Sequence, residues 1–150
     1  MNWNKDRSVL LSRVFICLFA LSLLLIDVFG PKIIGWWVGI RLMQSPYIRT
    51  EFLISLYTIS VLAWICLWQL WKLLSNISRS EVFTEDNIKL MRTVSWTLAI
   101  AAVISFASGF YYPPFFIAFA AAAFMMLIVR VVKNCFRQAV DMKDELDLTI

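Results

Sequence analysis

The chain has 150 residues, of which 61% are hydrophobic, 15% aromatic and only 16% charged, and its mean hydropathy is +0.78. This composition is typical of membrane proteins and argues against a soluble helical bundle. The longest polar segments run about 20 residues, which is too short for a water-soluble core of their own. The net charge of +4 is explained by membrane topology, as shown below, and does not indicate nucleic-acid binding.

Four apolar stretches divide the chain, at residues 9–28, 52–71, 93–110 and 115–132. Each is about long enough to cross a hydrocarbon core of about 30 Å as a helix. The sequence therefore predicts an all-α membrane protein, a single domain over residues 1–150 that forms a four-helix bundle in the lipid bilayer.

Lysine and arginine are distributed unevenly over the connections. Eleven of them lie before or early in the first stretch, in the connection at residues 72–92, and at or beyond the end of the fourth stretch; the first connection has three, and the turn at residues 111–114 has none. Because positive residues are retained in the cytoplasm, we expect both termini, the connection 72–92 and the tail 133–150 to be cytoplasmic. The implied location is the cytoplasmic (inner) membrane, which the chain would cross four times.

The first connection is itself rich in apolar and aromatic residues, including Trp36 and Trp37, which lie between Lys32 and Arg41. Such a segment suits the headgroup layer. We expect an interfacial segment on the outer face, with Asp27 at the outer end of the first span.

The connection 72–92 contains a pattern typical of a helix start. Thr84 is a good N-cap, Glu85 and Asp86 complement the helix dipole, and Phe83 and Ile88 occupy the positions of a hydrophobic staple. One interpretation is a well-made helix terminus. The other is a docking surface for a cytoplasmic partner, made of Phe83, Thr84, Glu85, Asp86, Asn87, Lys89 and Arg92.

The tail continues the fourth stretch with apolar residues at three- and four-residue steps, which predicts an amphipathic cytoplasmic helix. On its polar face Arg137 and Asp141 are four residues apart and can pair. The last residues are acidic. They could fold back onto the connection 72–92, bind a basic partner, or remain solvated.

Small residues recur along one face of the third stretch, at Thr97, Ala101, Ser105 and Gly109. This face predicts close packing in an antiparallel hairpin with the fourth stretch, with a homo-oligomer contact as the alternative. In the second stretch Trp64, Trp68 and Trp71 form a stripe. It indicates packing, or else a ligand cage together with Asp27 and Gln69.

The sequence offers little chemistry. It has no histidine, and its three cysteines are isolated without metal-ligand spacing. We therefore expect a non-enzymatic protein with no catalytic residue, no metal site and no cofactor.

Residues 81–92, with the sequence EVFTEDNIKLMR, together with residues 136–140 and the ending at residues 145–150, resemble the bacterial membrane proteins of domain-of-unknown-function family 2975. The similarity extends over nearly the whole chain. The family has no established activity, but its genes are often found beside one for a small helix-turn-helix regulator. The resemblance thus implies such a regulator as the partner.

Two hypotheses of function follow. In the first, the protein is a membrane-embedded regulator or sensor whose cytoplasmic face contacts a protein partner such as a small helix-turn-helix transcription factor. In the second, it is a small transporter or an immunity protein against membrane-active peptides, acting through Asp27, Gln69, Trp64 and Trp68.

Overall fold

The computed structural model describes residues 3–40, 46–79 and 82–148. These residues form four helices: α1 (Trp3–Ile40), α2 (Pro46–Ser78), α3 (Glu85–Gly109) and α4 (Phe115–Leu148). No strand occurs in the described ranges. All four helices are long and apolar enough to span a membrane, so the predicted number of spans is confirmed.

Each helix is longer than the apolar stretch that predicts it. Most of the connection predicted at residues 72–92 is helical, because α2 runs to Ser78 and α3 starts at Glu85. Hydropathy locates the part of a helix that suits lipid, whereas lysine and arginine are good helix formers that let the helix continue into water.

The first helix continues into the predicted interfacial segment without a break. It runs through Pro31 to Ile40, while residues 41–45 lie outside the described part of the chain. Ile34 is buried and Trp36 is exposed. The location of this segment in the headgroup layer stays a prediction.

The helices pack in chain order and antiparallel to one another. The helix α1 packs against α2, α2 against α3, and α3 against α4, and among the described residues no other pair of helices packs along its length. At one end the ring of Phe52 in α2 also contacts that of Phe115 at the start of α4, with centroids 5.3 Å apart. Helices α1 and α4, at the two ends of this series, do not pack against each other within the described residues.

The α3–α4 hairpin is the most closely packed part of the fold. The predicted small face of α3 buries Thr97, Ser105 and Gly109. Gly109 lies directly beneath the ring of Phe116, where an added Cβ would be 2.7 Å from two of the ring atoms. Phe106 contacts the same ring, with centroids 5.8 Å apart.

We expect Gly109→Ala to destabilise the protein by about 1–3 kcal/mol, because the methyl group would have to displace the Phe116 ring from a packed position. The matched control is Gly35→Ala, where the added Cβ would have its nearest neighbour, Nη2 of Arg49, at an ordinary 3.6 Å. Thermal unfolding of both variants in the same detergent measures the difference. Equal melting temperatures of the two variants would contradict this prediction, because the contact between Gly109 and Phe116 would then matter no more for stability than the site at Gly35.

Candidate functional site

The predicted helix start at Thr84 is confirmed. Thr84 has an extended backbone, its side-chain oxygen accepts a hydrogen bond from the Asn87 amide at 3.4 Å, and Glu85 and Asp86 occupy the first turn. Asp86 also pairs with Lys89 at 3.2 Å, but both side chains are exposed, so the pair adds little stability. The local sequence alone determines this helix terminus.

Asn87 has a role that the sequence pattern did not reveal. Its side chain is fully buried. Its Nδ2 donates to the carbonyl of Val82 at 2.8 Å, and its Oδ1 accepts from Nδ2 of Asn76 at 2.8 Å. Asn87 therefore joins the end of α2 to the start of α3, and it is not available on the candidate docking surface.

The remaining residues of the candidate docking surface are distributed over two helices. Phe83 lies against Phe136 of α4, with ring centroids 5.4 Å apart, so the start of α3 and the extension of α4 are adjacent. Val140, four residues after Phe136 on α4, is buried. The charged candidates are exposed, namely Glu85, Asp86, Lys89, Arg92, Arg137 and Asp141.

The second candidate site brings Asp27 and Trp64 together. The indole Nε1 of Trp64 donates to Oδ2 of Asp27 at 3.1 Å. The other carboxyl oxygen, Oδ1, is buried and has no hydrogen-bond partner among the described residues. Trp68 is largely exposed and Gln69 is half-buried, and neither has a recorded contact with Asp27.

Asp27 lies within the segment Arg7–Trp36 of α1, which is long and apolar enough to span a membrane, and is nine residues from the end of that segment. The segment has 30 residues and would extend about 45 Å, more than a hydrocarbon core of about 30 Å. The location of Asp27 at the outer end of the span therefore stays a prediction.

Pro31 explains a second contact of Asp27. Proline has no N–H, so Pro31 cannot donate to the carbonyl four residues earlier, which is that of Asp27. The hydroxyl of Tyr57 donates to this carbonyl at 3.3 Å. A neighbouring helix thus satisfies the backbone group that proline leaves free, which is the usual condition for proline in a spanning helix.

A chain of hydroxyl groups, which the sequence analysis missed, joins the opposite end of α2 to the α3–α4 turn. Ser108 donates to Ser55 at 2.9 Å, Ser55 is hydrogen-bonded to the Tyr111 hydroxyl, and that hydroxyl donates to the carbonyl of Glu51 at 3.4 Å. Because serine is common in membrane-spanning helices, the residue type does not indicate that it joins two helices. Only its hydrogen-bond partners in the structure do. The cluster accounts for the packing of α2 against the α3–α4 turn and does not indicate a catalytic role.

Metal binding has no support in the described ranges, where no three His, Cys, Asp or Glu side chains come together. The cysteines Cys17, Cys66 and Cys135 are free.

Taken together, these features define a multi-pass helical membrane protein with several hydrogen bonds between neighbouring helices and a charged surface at one end. The sequence profile of a family described as a protein of unknown function, DUF2975, matches residues 41–150. The chain belongs to this family. The match starts after α1, so it is shorter than the resemblance suggested, and it contains α2, α3, α4 and the candidate docking surface.

Neither a curated protein nor a solved structure matches the chain.

We expect Asn87→Ala to lower the free energy of unfolding by about 2 kcal/mol or more, because it leaves Asn76 and the Val82 carbonyl without their buried partner. The exposed neighbour Glu85→Ala is the control and should cost less than about 1 kcal/mol. Denaturant or thermal unfolding in detergent compares the two. Similar losses would mean that the joint between α2 and α3 does not depend on Asn87.

Proposed function

We propose that the protein is a non-enzymatic regulator or sensor of the bacterial inner membrane, and that it binds a cytoplasmic protein partner at one end of its helices. The binding surface would consist of the start of α3 and the extension of α4, and both termini would be cytoplasmic. A small helix-turn-helix transcription factor is the partner that the family resemblance favours.

The contact between Phe83 and Phe136 carries this proposal. Without this contact, nothing would place the charged residues at the start of α3 beside those on the extension of α4. With the rings 5.4 Å apart, Glu85 and Asp86 lie on the same end of the protein as Arg137 and Asp141. The surface then combines acidic and basic side chains around a partly exposed aromatic ring, since 46% of Phe83 remains exposed.

The joint at Asn87 supports a signalling role for this surface. Asn87 and its partners Asn76 and Val82 hold the start of α3 rigidly to the end of α2. A protein bound at residues 83–92 would therefore act directly on two spanning helices. A change in the packing of α2 and α3 would in turn alter the surface offered to the partner.

Glu85→Lys combined with Asp86→Lys should reduce recovery of the partner at least about tenfold in a crosslinked pull-down from native membranes, because reversed charge at a docking surface costs several kcal/mol. A deletion after Lys143 tests the contribution of α4 in the same way. Glu51→Lys is the control, since Glu51 is exposed at the other end of α2. Expression of all variants must be matched.

Recovery of the same protein in equal amounts with the intact chain and the Glu85→Lys, Asp86→Lys variant would contradict the proposed surface. An equal loss of partner recovery with Glu51→Lys would show that the change in net charge causes the effect, and that the proposed surface does not.

A second candidate function, a small transporter or an immunity protein against membrane-active peptides, is favoured by the contact between Asp27 and Trp64. Ionisable groups inside spans are costly and usually functional, and Oδ1 of Asp27 has acceptor capacity that no described residue uses. In this alternative the function depends on α1 and α2, and the charged end surface is dispensable.

Asp27→Asn separates the two functions. It keeps the size of the side chain and an acceptor for Trp64, so we expect the fold to remain and the stability to change by less than about 1 kcal/mol. Under the regulator proposal the partner is still recovered. If Asp27→Asn abolishes resistance or uptake while the charge reversals have no effect, the second function is correct. Trp68→Phe, at an exposed member of the same stripe, is the control.

A further inference from the structure

Two apolar grooves run along the protein and meet at Phe19 and Leu67. The α1–α2 groove extends from Ser12 and Ile77 to these two residues, and the central groove continues from them to Ala122 on α4. Each has a volume of about 340 Å³, within the range of ordinary ligand pockets. The α1–α2 groove is lined by these two helices alone, whereas residues of all four helices line the central groove.

Water is a poor occupant of these grooves. An ordered water needs two to four polar partners. The α1–α2 groove is lined by aliphatic and aromatic side chains except for Ser12, whose hydroxyl donates to the carbonyl of Ser8 at 3.0 Å. In the central groove the Thr97 hydroxyl is likewise used, donating to the carbonyl of Thr93 at 2.8 Å, and Ser105 and Cys66 are the other side chains in its lining with polar or thiol groups. The lining of the α1–α2 groove therefore suits a hydrocarbon chain.

The length and the end of the α1–α2 groove fit a phospholipid. From Ile77 to Leu67 the groove spans about 15 Å, which is half of a hydrocarbon core of about 30 Å and so the depth of one leaflet. At its end the guanidinium of Arg13 donates to Ser78 at 3.2 Å and lies over the ring of Trp71, 5.9 Å from its centroid.

Arg13 has further donors for a headgroup. A guanidinium carries five N–H groups, and the bond to Ser78 uses one of them. Arginine is well suited to phosphate because its donors are planar and match two oxygens at once. Lys72 in the last two turns of α2 and Arg79 directly after its end are also basic and exposed, so the end of α2 carries positive charge.

We propose that the α1–α2 groove is a binding site for an anionic phospholipid, with one acyl chain between α1 and α2 and the phosphate at Arg13. The central groove receives the end of the chain. The site is separate from both candidate functions above, because it uses neither the surface at residues 83–92 nor the carboxyl group of Asp27.

The test is a lipid titration of the full chain in mild detergent, followed by native mass spectrometry, with phosphatidylglycerol and phosphatidylcholine of identical acyl chains. Phosphatidylglycerol should bind more tightly, since both lipids have a phosphate but only phosphatidylglycerol has a net negative charge. Arg13→Gln should weaken phosphatidylglycerol binding about fivefold. Arg130→Gln is the matched control, because Arg130 lies over Trp96 at the same 5.9 Å but outside both grooves.

A second pair of variants tests the groove itself. Leu70→Trp places a bulky ring in the α1–α2 groove and should weaken binding of both lipids at least about tenfold. Ile65→Trp, on the same helix but outside both grooves, should change it less than about twofold.

Equal affinity for the two lipids would overturn the anionic specificity. Equal losses in Arg13→Gln and Arg130→Gln would overturn the headgroup position, and unchanged binding by a folded Leu70→Trp variant would overturn the groove. If Leu70→Trp does not fold, the arginine pair decides the proposal alone.

Discussion

The absence of water in the hydrocarbon core is the constraint on which this fold depends. Every backbone N–H and C=O in a span must find a partner within the protein, and a continuous helix satisfies them all. The four helices obey this rule over most of their length. The exception in α1 is Pro31, which leaves the carbonyl of Asp27 free, and the Tyr57 hydroxyl from α2 satisfies it. Because Pro31 lacks an N–H, α1 thus gains a hydrogen bond to α2 that helps to position the two helices.

The same constraint explains where the polar side chains are found. Hydrophobic burial does not drive association of helices inside lipid, so close packing and interhelical hydrogen bonds must do so. Two polar clusters hold α2 to α3, one at each end: Asn76 with Asn87, and Ser55 with Ser108. Between them the contacts are small residues and apolar side chains. The two ends of the α2–α3 pair are therefore fixed, whereas in the described part of the chain α1 packs against α2 alone.

The sequence was sufficient for those features that depend on local chemistry. The four spans follow from hydropathy, and the cap at Thr84 follows from the identity of four consecutive residues. The burial of Asn87 could not be predicted, because the same residue at the third position of a helix is often exposed, and only the position of Asn76 eleven residues earlier decides. The contact between Asp27 and Trp64 likewise depends on the register of α1 against α2, which no local pattern specifies. The apolar stretches are shorter than the helices that contain them, because hydropathy does not detect the part of a helix that continues into water.

The residues that the family match covers help to decide which of the two candidate functions could be shared by the members of the family. The match starts at residue 41, so it includes the surface at residues 83–92 and the extension of α4 but not Asp27 or Arg13. A property shared through the matched region has to arise from α2, α3 and α4, and the joint at Asn87 and the Phe83–Phe136 contact are within it. Asp27 needs both α1 and Trp64 of α2, so a function at Asp27 requires a helix outside the match. The end surface is therefore the better candidate for a role common to the family, and the contacts of α1 are candidates for what is particular to this chain.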